Sequence, residues 1–178
     1  VTLMGLSDRS PVDESFPDHP VIVYDIHKLM AENYLRYYGD DTGMPTVTLR
    51  LANVYGPGTQ VGSQDRGVLN SMIRRALEGE TLTVFGSGER VRDYIYVDDV
   101  IQAFLTAGAC APGISGNYYV IGSGTGFRIV DAINLVADRA NAITGRRPPV
   151  AHVNPPSPLP AIEDRDFVAN TKRFQSAT

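Results

Sequence analysis

The chain has 178 residues, 43% hydrophobic and 20% charged, enough apolar side chain for one ordinary globular domain and too much for a disordered segment. Sixteen Lys and Arg against 20 Asp and Glu leave a net charge of -4, so no basic excess draws the chain to nucleic acid or to an anionic membrane surface. The single cysteine, Cys110, can form neither an internal disulfide nor a metal site alone, which favours a reducing compartment, with the cytoplasm as the default.

The elements follow in order. No apolar run is long enough to span a bilayer. The opening Val-Thr-Leu-Met-Gly has neither an initiator methionine nor a charged signal region, so the sequence is expected to start inside a longer protein. Residues 7–20 are polar, carry Pro11, Pro17 and Pro20, and read as a loop. From Tyr24 to Tyr38, Leu29, Met30, Tyr34, Leu35 and Tyr38 recur near the helical period, with Gly39 and Gly43 as stops.

Residues 46–51 are β-rich and end in turn chemistry over 53–58. A helix is expected over 67–79, strands over 82–85 and 91–97, and a helix from an Asp98 N-cap to about Gly108. Further along come a strand at 117–121, a helix at 129–143, a strand at 148–153, a proline-rich loop over 155–160 and a last helix over 170–178 that ends without a Gly or Asn cap. Alternating helices and short β-branched runs predict an α/β architecture.

Within the first helix, Tyr24-Asp-Ile-His-Lys28 sets a phenol and an ammonium at i and i+4 on one helical face. A nearby cation stabilises the phenolate and lowers a pKa that is ordinarily about 10, which makes the phenol a usable general base and acid. Spacing alone does not separate this from a Lys lying along a half-buried Tyr on an amphipathic helix. His27, at i+3 from Tyr24, is read as a flanking residue, and His19 and His152 share no metal-ligand spacing with it, so no metal is expected.

Four segments give the pair its context: Leu3-Met4-Gly5 with Pro11 and Glu14 before Tyr24 and Lys28; Arg50-Leu-Ala-Asn-Val-Tyr-Gly-Pro-Gly58; 76–88; and Arg92-Asp-Tyr-Ile-Tyr-Val-Asp-Asp99. In this order the chain resembles the extended short-chain dehydrogenase/reductases, and among them the nucleotide-sugar epimerases and dehydratases. The resemblance covers nearly the whole chain. It implies the carboxyl-terminal part of a Rossmann-type α/β fold with a smaller α/β substrate-binding domain. Residues 1–58 would close the NAD-binding domain, with the catalytic Tyr-x-x-x-Lys helix. Residues 59–178 would mostly form the nucleotide-sugar domain, with about 91–110 as candidates to return to the first. Gly122-Ser-Gly-Thr-Gly126 lacks the full Gly-x-Gly-x-x-Gly spacing and reads as a turn, so the dinucleotide fingerprint is expected before Val1.

The same resemblance implies roles. Tyr24 is general base and acid, and Lys28 lowers its pKa and binds the nicotinamide ribose. Leu51 and Asn53 stand with them at the cofactor, which is NAD in preference to NADP. Asn53, Thr83, Phe85, Arg92 and Arg165 form the site for a UDP- or dTDP-sugar, where an arginine can grip a diphosphate through two parallel hydrogen bonds. The family's Ser or Thr that donates to the sugar oxygen falls just before Val1, leaving Thr2 an accessory candidate.

Val1 and Thr2 stand where 4,6-dehydratases carry an Asp-Glu pair, and neither can supply a proton for elimination, which favours 4-epimerase. A dehydratase, a reductase and a noncatalytic nucleotide-sugar sensor stay open as alternatives. A homodimer through the long helices is expected.

Overall fold

The computed structural model describes residues 2–6, 9–58, 67–155, 158 and 161–178; the expectations placed on Val1 and on much of the stretch 155–160 lie outside the described residues. The apolar runs form β1 (Thr48–Leu51), β2 (Asn53–Tyr55), β3 (Leu82–Phe85), β4 (Val91–Tyr96), β5 (Tyr118–Ile121), β6 (Gly126–Arg128) and β7 (Val150–Val153). The periodic segments form α1 (Val23–Thr42), α2 (Val68–Glu78), α3 (Val97–Ile114), α4 (Ile129–Thr144) and α5 (Lys172–Ala177).

Parallel pairing dominates, as expected when helices connect the strands. β1 runs beside β5 with Thr48 opposite Tyr118, β2 beside β4 with Asn53 opposite Tyr94, and β3 beside β7 with Leu82 opposite Val150. β6 adds an antiparallel edge to β4, with Arg92 opposite Phe127.

Several expected boundaries shift, each for a local reason. The segment Leu3-Met4-Gly5, where the resemblance implies the end of a strand, is a single 3-10 turn over Thr2–Met4, closed by the Gly5 amide donating to the Thr2 carbonyl at 2.8 Å. The expected turn over 53–58 begins as β2, because β4 offers its backbone a parallel ladder. The third helix starts at Val97 with Tyr96 at the N-cap, and Asp98 and Asp99 sit in its first turn, where carboxylates complement the dipole. Its alanines carry it past Gly108 to Ile114.

Two cores result. In the first, Val100, Ala103 and Ala107 of α3 meet Ile95, Tyr119, Val120 and Ile121 of the strands, closed by Phe167 and Phe174. In the second, Met72 and Ala76 of α2 meet Ile133, Ala137 and Ala140 of α4 over Leu82 and Val84 of β3. Alanines at the α2–α4 contact allow close approach, and each buried branched side chain contributes about 1.5–3 kcal/mol. The long helix α1 is different: Asp25 is its buried residue, while Tyr24, Tyr34, Tyr37 and Tyr38 are all more than half exposed.

Candidate active site

The amino-terminal turns of α1 bring Tyr24 and Lys28 onto one face, with Lys28 Nζ lying 5.4 Å from the centroid of the Tyr24 ring. Both line a cleft of about 610 Å³, whose wall also includes Leu51, Asn53, Arg92 and Arg165. Residues far apart in the chain thus share one space. Leu51 ends β1 and Asn53 follows two residues on, so both stand at the carboxyl end of β1, a parallel strand, where open α/β sheets present their ligand crevices. Asn53 is oriented by its amide, which donates to the Asp93 carbonyl at 3.0 Å.

Part of the wall is cationic. Arg92, 8% exposed, donates to the carbonyls of Arg165 and, at 2.8 Å, of Glu163, and pairs with the Glu163 carboxylate at 3.2 Å. Arg165 donates to the Gly5 carbonyl at 3.2 Å. Burial, and then the charge of Arg92, pull the Arg165 pKa down to about 10, against the supporting charges of Glu163 and Asp25. Tyr94 lies on the same wall, and burial raises its pKa in spite of Arg92. Thr2 also lines the cleft, but its hydroxyl donates to the buried carboxylate of Asp25 on α1.

Thr83 and Phe85 are not brought into this cleft. Both stand on β3, where alternation turns Leu82 and Val84 into the second core; Thr83 Oγ1 meets Arg75 Nη1 at 3.5 Å and Phe85 is 46% exposed.

Sequence reasoning passed over two residues that build the site. Arg50, 3% exposed, donates to both carboxylate oxygens of Glu32 at 3.0 and 2.9 Å, donates to both of Asp18 at 2.6 and 3.2 Å, and stacks 3.6 Å from the Tyr118 ring centroid. Burial opposes its charge, but the bonds to Asp18 and Glu32 outweigh that and hold its pKa above the ordinary value. Asp93, fully buried, accepts from the Ser123 amide at 2.8 Å and hydroxyl at 2.7 Å and from the Gly124 and Ala169 amides at 3.0 Å each. The signal was there: a charged residue inside each of the two motifs, in runs that otherwise read as buried strand, needs a partner.

Chemically, the cleft lining offers a phenol beside an ammonium, two guanidiniums, and the apolar side chains of Leu3, Leu49 and Leu51. That suits proton exchange at a hydroxyl of a molecule that also carries an anionic group.

Residues 1–122 match the family model described as NAD dependent epimerase/dehydratase family. The chain is 31% identical to the dTDP-4-dehydro-6-deoxyglucose reductase of Escherichia coli over 86% of its own length and 48% of that protein. It is 34% identical to the UDP-glucose 4-epimerase of Mycolicibacterium smegmatis over 69% of this chain and 38% of the relative. The chain thus spans half or less of the curated relatives it matches. Among solved structures, the UDP-glucose 4-epimerase of Thermotoga maritima with UDP-glucose superposes with a TM-score of 0.82 at 30% identity, covering 97% of this chain and 52% of that one.

Proposed function

Because the chain belongs to the NAD-dependent epimerase/dehydratase family, we propose that it forms the catalytic and substrate-side part of a nucleotide-sugar 4-epimerase. The observation that carries the reading is the shared cleft, whose lining brings Tyr24 and Lys28 together with Arg92 and Arg165.

In this reading Arg92 and Arg165 hold the diphosphate, and Asn53 orients the sugar. Tyr24 takes the proton of the C4 hydroxyl and later returns it, while Lys28 stabilises the phenolate. Tyr24, Lys28, Leu51 and Asn53 would hold the nicotinamide end of NAD, which fits here: Leu51 gives an apolar wall, and Lys28 makes no ion pair among the described residues. When bound, NAD supplies the acceptor and then the donor of reducing equivalents at C4. No Gly-x-Gly-x-x-Gly fingerprint occurs in this sequence, so the chain's own contribution is to this end of the cofactor.

We place the domain division at residue 58 and return 91–110 to the first part, which the joining of Ala52 with Ile95, Val100, Ala103 and Ala107 in one core supports; Tyr119–Ile121, Phe167 and Phe174 share that core and go with them. The exposed Met30, Tyr34, Leu35 and Tyr38 of α1 support a homodimer, with a second copy covering this helix, and sedimentation of the holoenzyme measures it. No helix among the described residues is long and apolar enough to cross a membrane.

The deciding experiment is turnover of the holoenzyme on UDP- and dTDP-sugars with Tyr24→Phe beside the wild type. Interconversion of C4 epimers without net redox, and at least about a hundredfold loss in the variant, is the expected result. Near-normal activity of Tyr24→Phe sinks the mechanism. A second reading, a nucleotide-sugar reductase, has support in the likeness to the Escherichia coli reductase, and steady consumption of NADH or NADPH would select it.

A further inference from the structure

On α1 the ammonium of Lys28 has two neighbours at helical spacing, Tyr24 four residues before it and Glu32 four residues after. The two compete. A carboxylate attracts an ammonium more strongly than an aromatic ring or a neutral phenol does, so a Glu32 with nothing else to bind would draw Lys28 away from Tyr24. In the structure this does not happen. Lys28 makes no ion pair among the described residues, and its Nζ lies over Tyr24.

Glu32 is already taken. Arg50 Nε and Nη2 hold its two oxygens at 3.0 and 2.9 Å, with the Arg50 side chain 2% exposed and that of Glu32 11% exposed. The guanidinium cannot drift, because its other edge is fixed by Asp18 and its plane by Tyr118. Asp18, at 30% exposure, keeps access to water; Glu32 has little, and besides Arg50 the cations at helical spacing from it are Lys28, four residues before, and Arg36, four residues after, whose guanidinium donates to Asn33 Oδ1 at 2.6 Å.

We propose that Arg50 is a positioning residue for the catalytic pair: by occupying both carboxylate oxygens of Glu32 it leaves the Lys28 ammonium to Tyr24. This rests on the reading of Tyr24 and Lys28 given above and adds a residue that acts on them through Glu32. The other charged groups of this region are Asp25 on α1, whose charge acts on Arg165, and Arg92, Glu163 and Arg165 of the cleft lining, while His27 is exposed on α1. Asp18 binds Arg50 from the loop before α1, and Glu14 of the same loop acts on Tyr118, the ring under Arg50.

The test is the pH dependence of kcat in the holoenzyme for wild type, Arg50→Gln and the double variant Arg50→Gln/Glu32→Gln. Freed Glu32 should capture Lys28, so Arg50→Gln moves the acidic limb upward by about one pH unit and lowers turnover at neutral pH about tenfold. KM for the nucleotide sugar should change less than about twofold, because the diphosphate arginines are untouched. Removing the Glu32 charge as well should return the limb to within about a third of a unit of wild type.

A merely structural Arg50 gives the opposite ordering, with the double variant no better than the single; that ordering, or an unmoved limb in Arg50→Gln, overturns the proposal. Should Arg50→Gln fail to fold, Arg50→Lys takes its place, since one ammonium cannot hold both oxygens of Glu32, and the same shift is expected at smaller size. Titration of the Tyr24 ring carbon by NMR, assigned through Tyr24→Phe, reads the same effect without turnover. Normal activity of Tyr24→Phe would thus remove the proposed function, while an unmoved ring titration would remove the role of Arg50.

Discussion

The guanidinium of Arg92 donates to the main-chain carbonyl of Arg165, which sets two cationic side chains on one wall of the cleft. They cannot sit there without cost. Burial and the facing charge lower the Arg165 pKa to about 10, so its charge is complete only below that pH.

The sign of the pH effect follows. An anion between the two guanidiniums favours the charged form and pushes the Arg165 pKa back up, so binding takes up protons near the depressed value. UDP affinity for the holoenzyme should hold steady from neutral pH to about pH 9 and fall as pH passes through about 10. Calorimetry in two buffers of different ionisation enthalpy measures both affinity and proton uptake. Arg165→Gln should bind more weakly and lose the fall near pH 10; an identical fall in the variant would assign it to another group.

Arg92 is the more firmly placed of the pair, its two terminal nitrogens held by the Arg165 and Glu163 carbonyls, so in the proposed function it is the cation fixed beside the diphosphate. Arg92→Ala should raise KM for the nucleotide sugar and the inhibition constant of UDP by at least about tenfold, with a smaller change in kcat. Initial-rate kinetics with UDP as competitor separate the two parameters. An unchanged KM and unchanged UDP inhibition would take Arg92 out of the binding site.

Behind Arg92, the buried Asp93 carboxylate ties β4 to the turn after β5 and to Ala169 through four hydrogen bonds. Asp93→Ala leaves those donors buried without an acceptor and should cost about 3–5 kcal/mol in thermal or denaturant unfolding. Gly122→Ala attacks the same contact from the other side, since its Cβ would stand 2.5 Å from an Asp93 oxygen and from the Ala169 side chain. If the clip is one unit, the two losses are not additive. A fully additive double variant would show that the contacts act separately.

How much of this was legible in the sequence depends on range. The α/β class, the pair on α1 and the turn at Gly124, with its φ of 73°, are local patterns and could be read directly. Arg92 and Arg165 were found through motif resemblance, and the cleft brings them together although 73 positions separate them. Thr83 and Phe85 were assigned through the same resemblance, from the segment 76–88, but strand alternation on β3 keeps them out of the cleft lining, because the core claims Leu82 and Val84. Arg50 and Asp93 stand inside two of the motifs, where the pattern implies no role for them. Their partners, Glu32, Asp18, Ser123 and Ala169, lie on other elements, and no periodicity or spacing announces a partner that only the tertiary fold supplies.

The two cores make a last prediction about how the molecule comes apart. Leu82 and Val84 are fully buried between α2 and α4, and the second core shares no residue with the first, which is built on α3, β5 and the segment around Phe167. Leu82→Ala removes about 2–5 kcal/mol from the second core, through lost burial and the cavity left behind. If the cores are separate cooperative units, native-state hydrogen exchange should quicken in α2, α4, β3 and β7 while β1, β5 and α3 keep their protection. UDP binding should weaken in step, because Val68, Leu69 and Ile129 carry that unit to the cleft, whereas the ring titration of Tyr24 on α1 should stay unchanged. Equal loss of protection in both sets would mean that the cores unfold as one, and the division proposed at residue 58 would then describe sequence rather than stability.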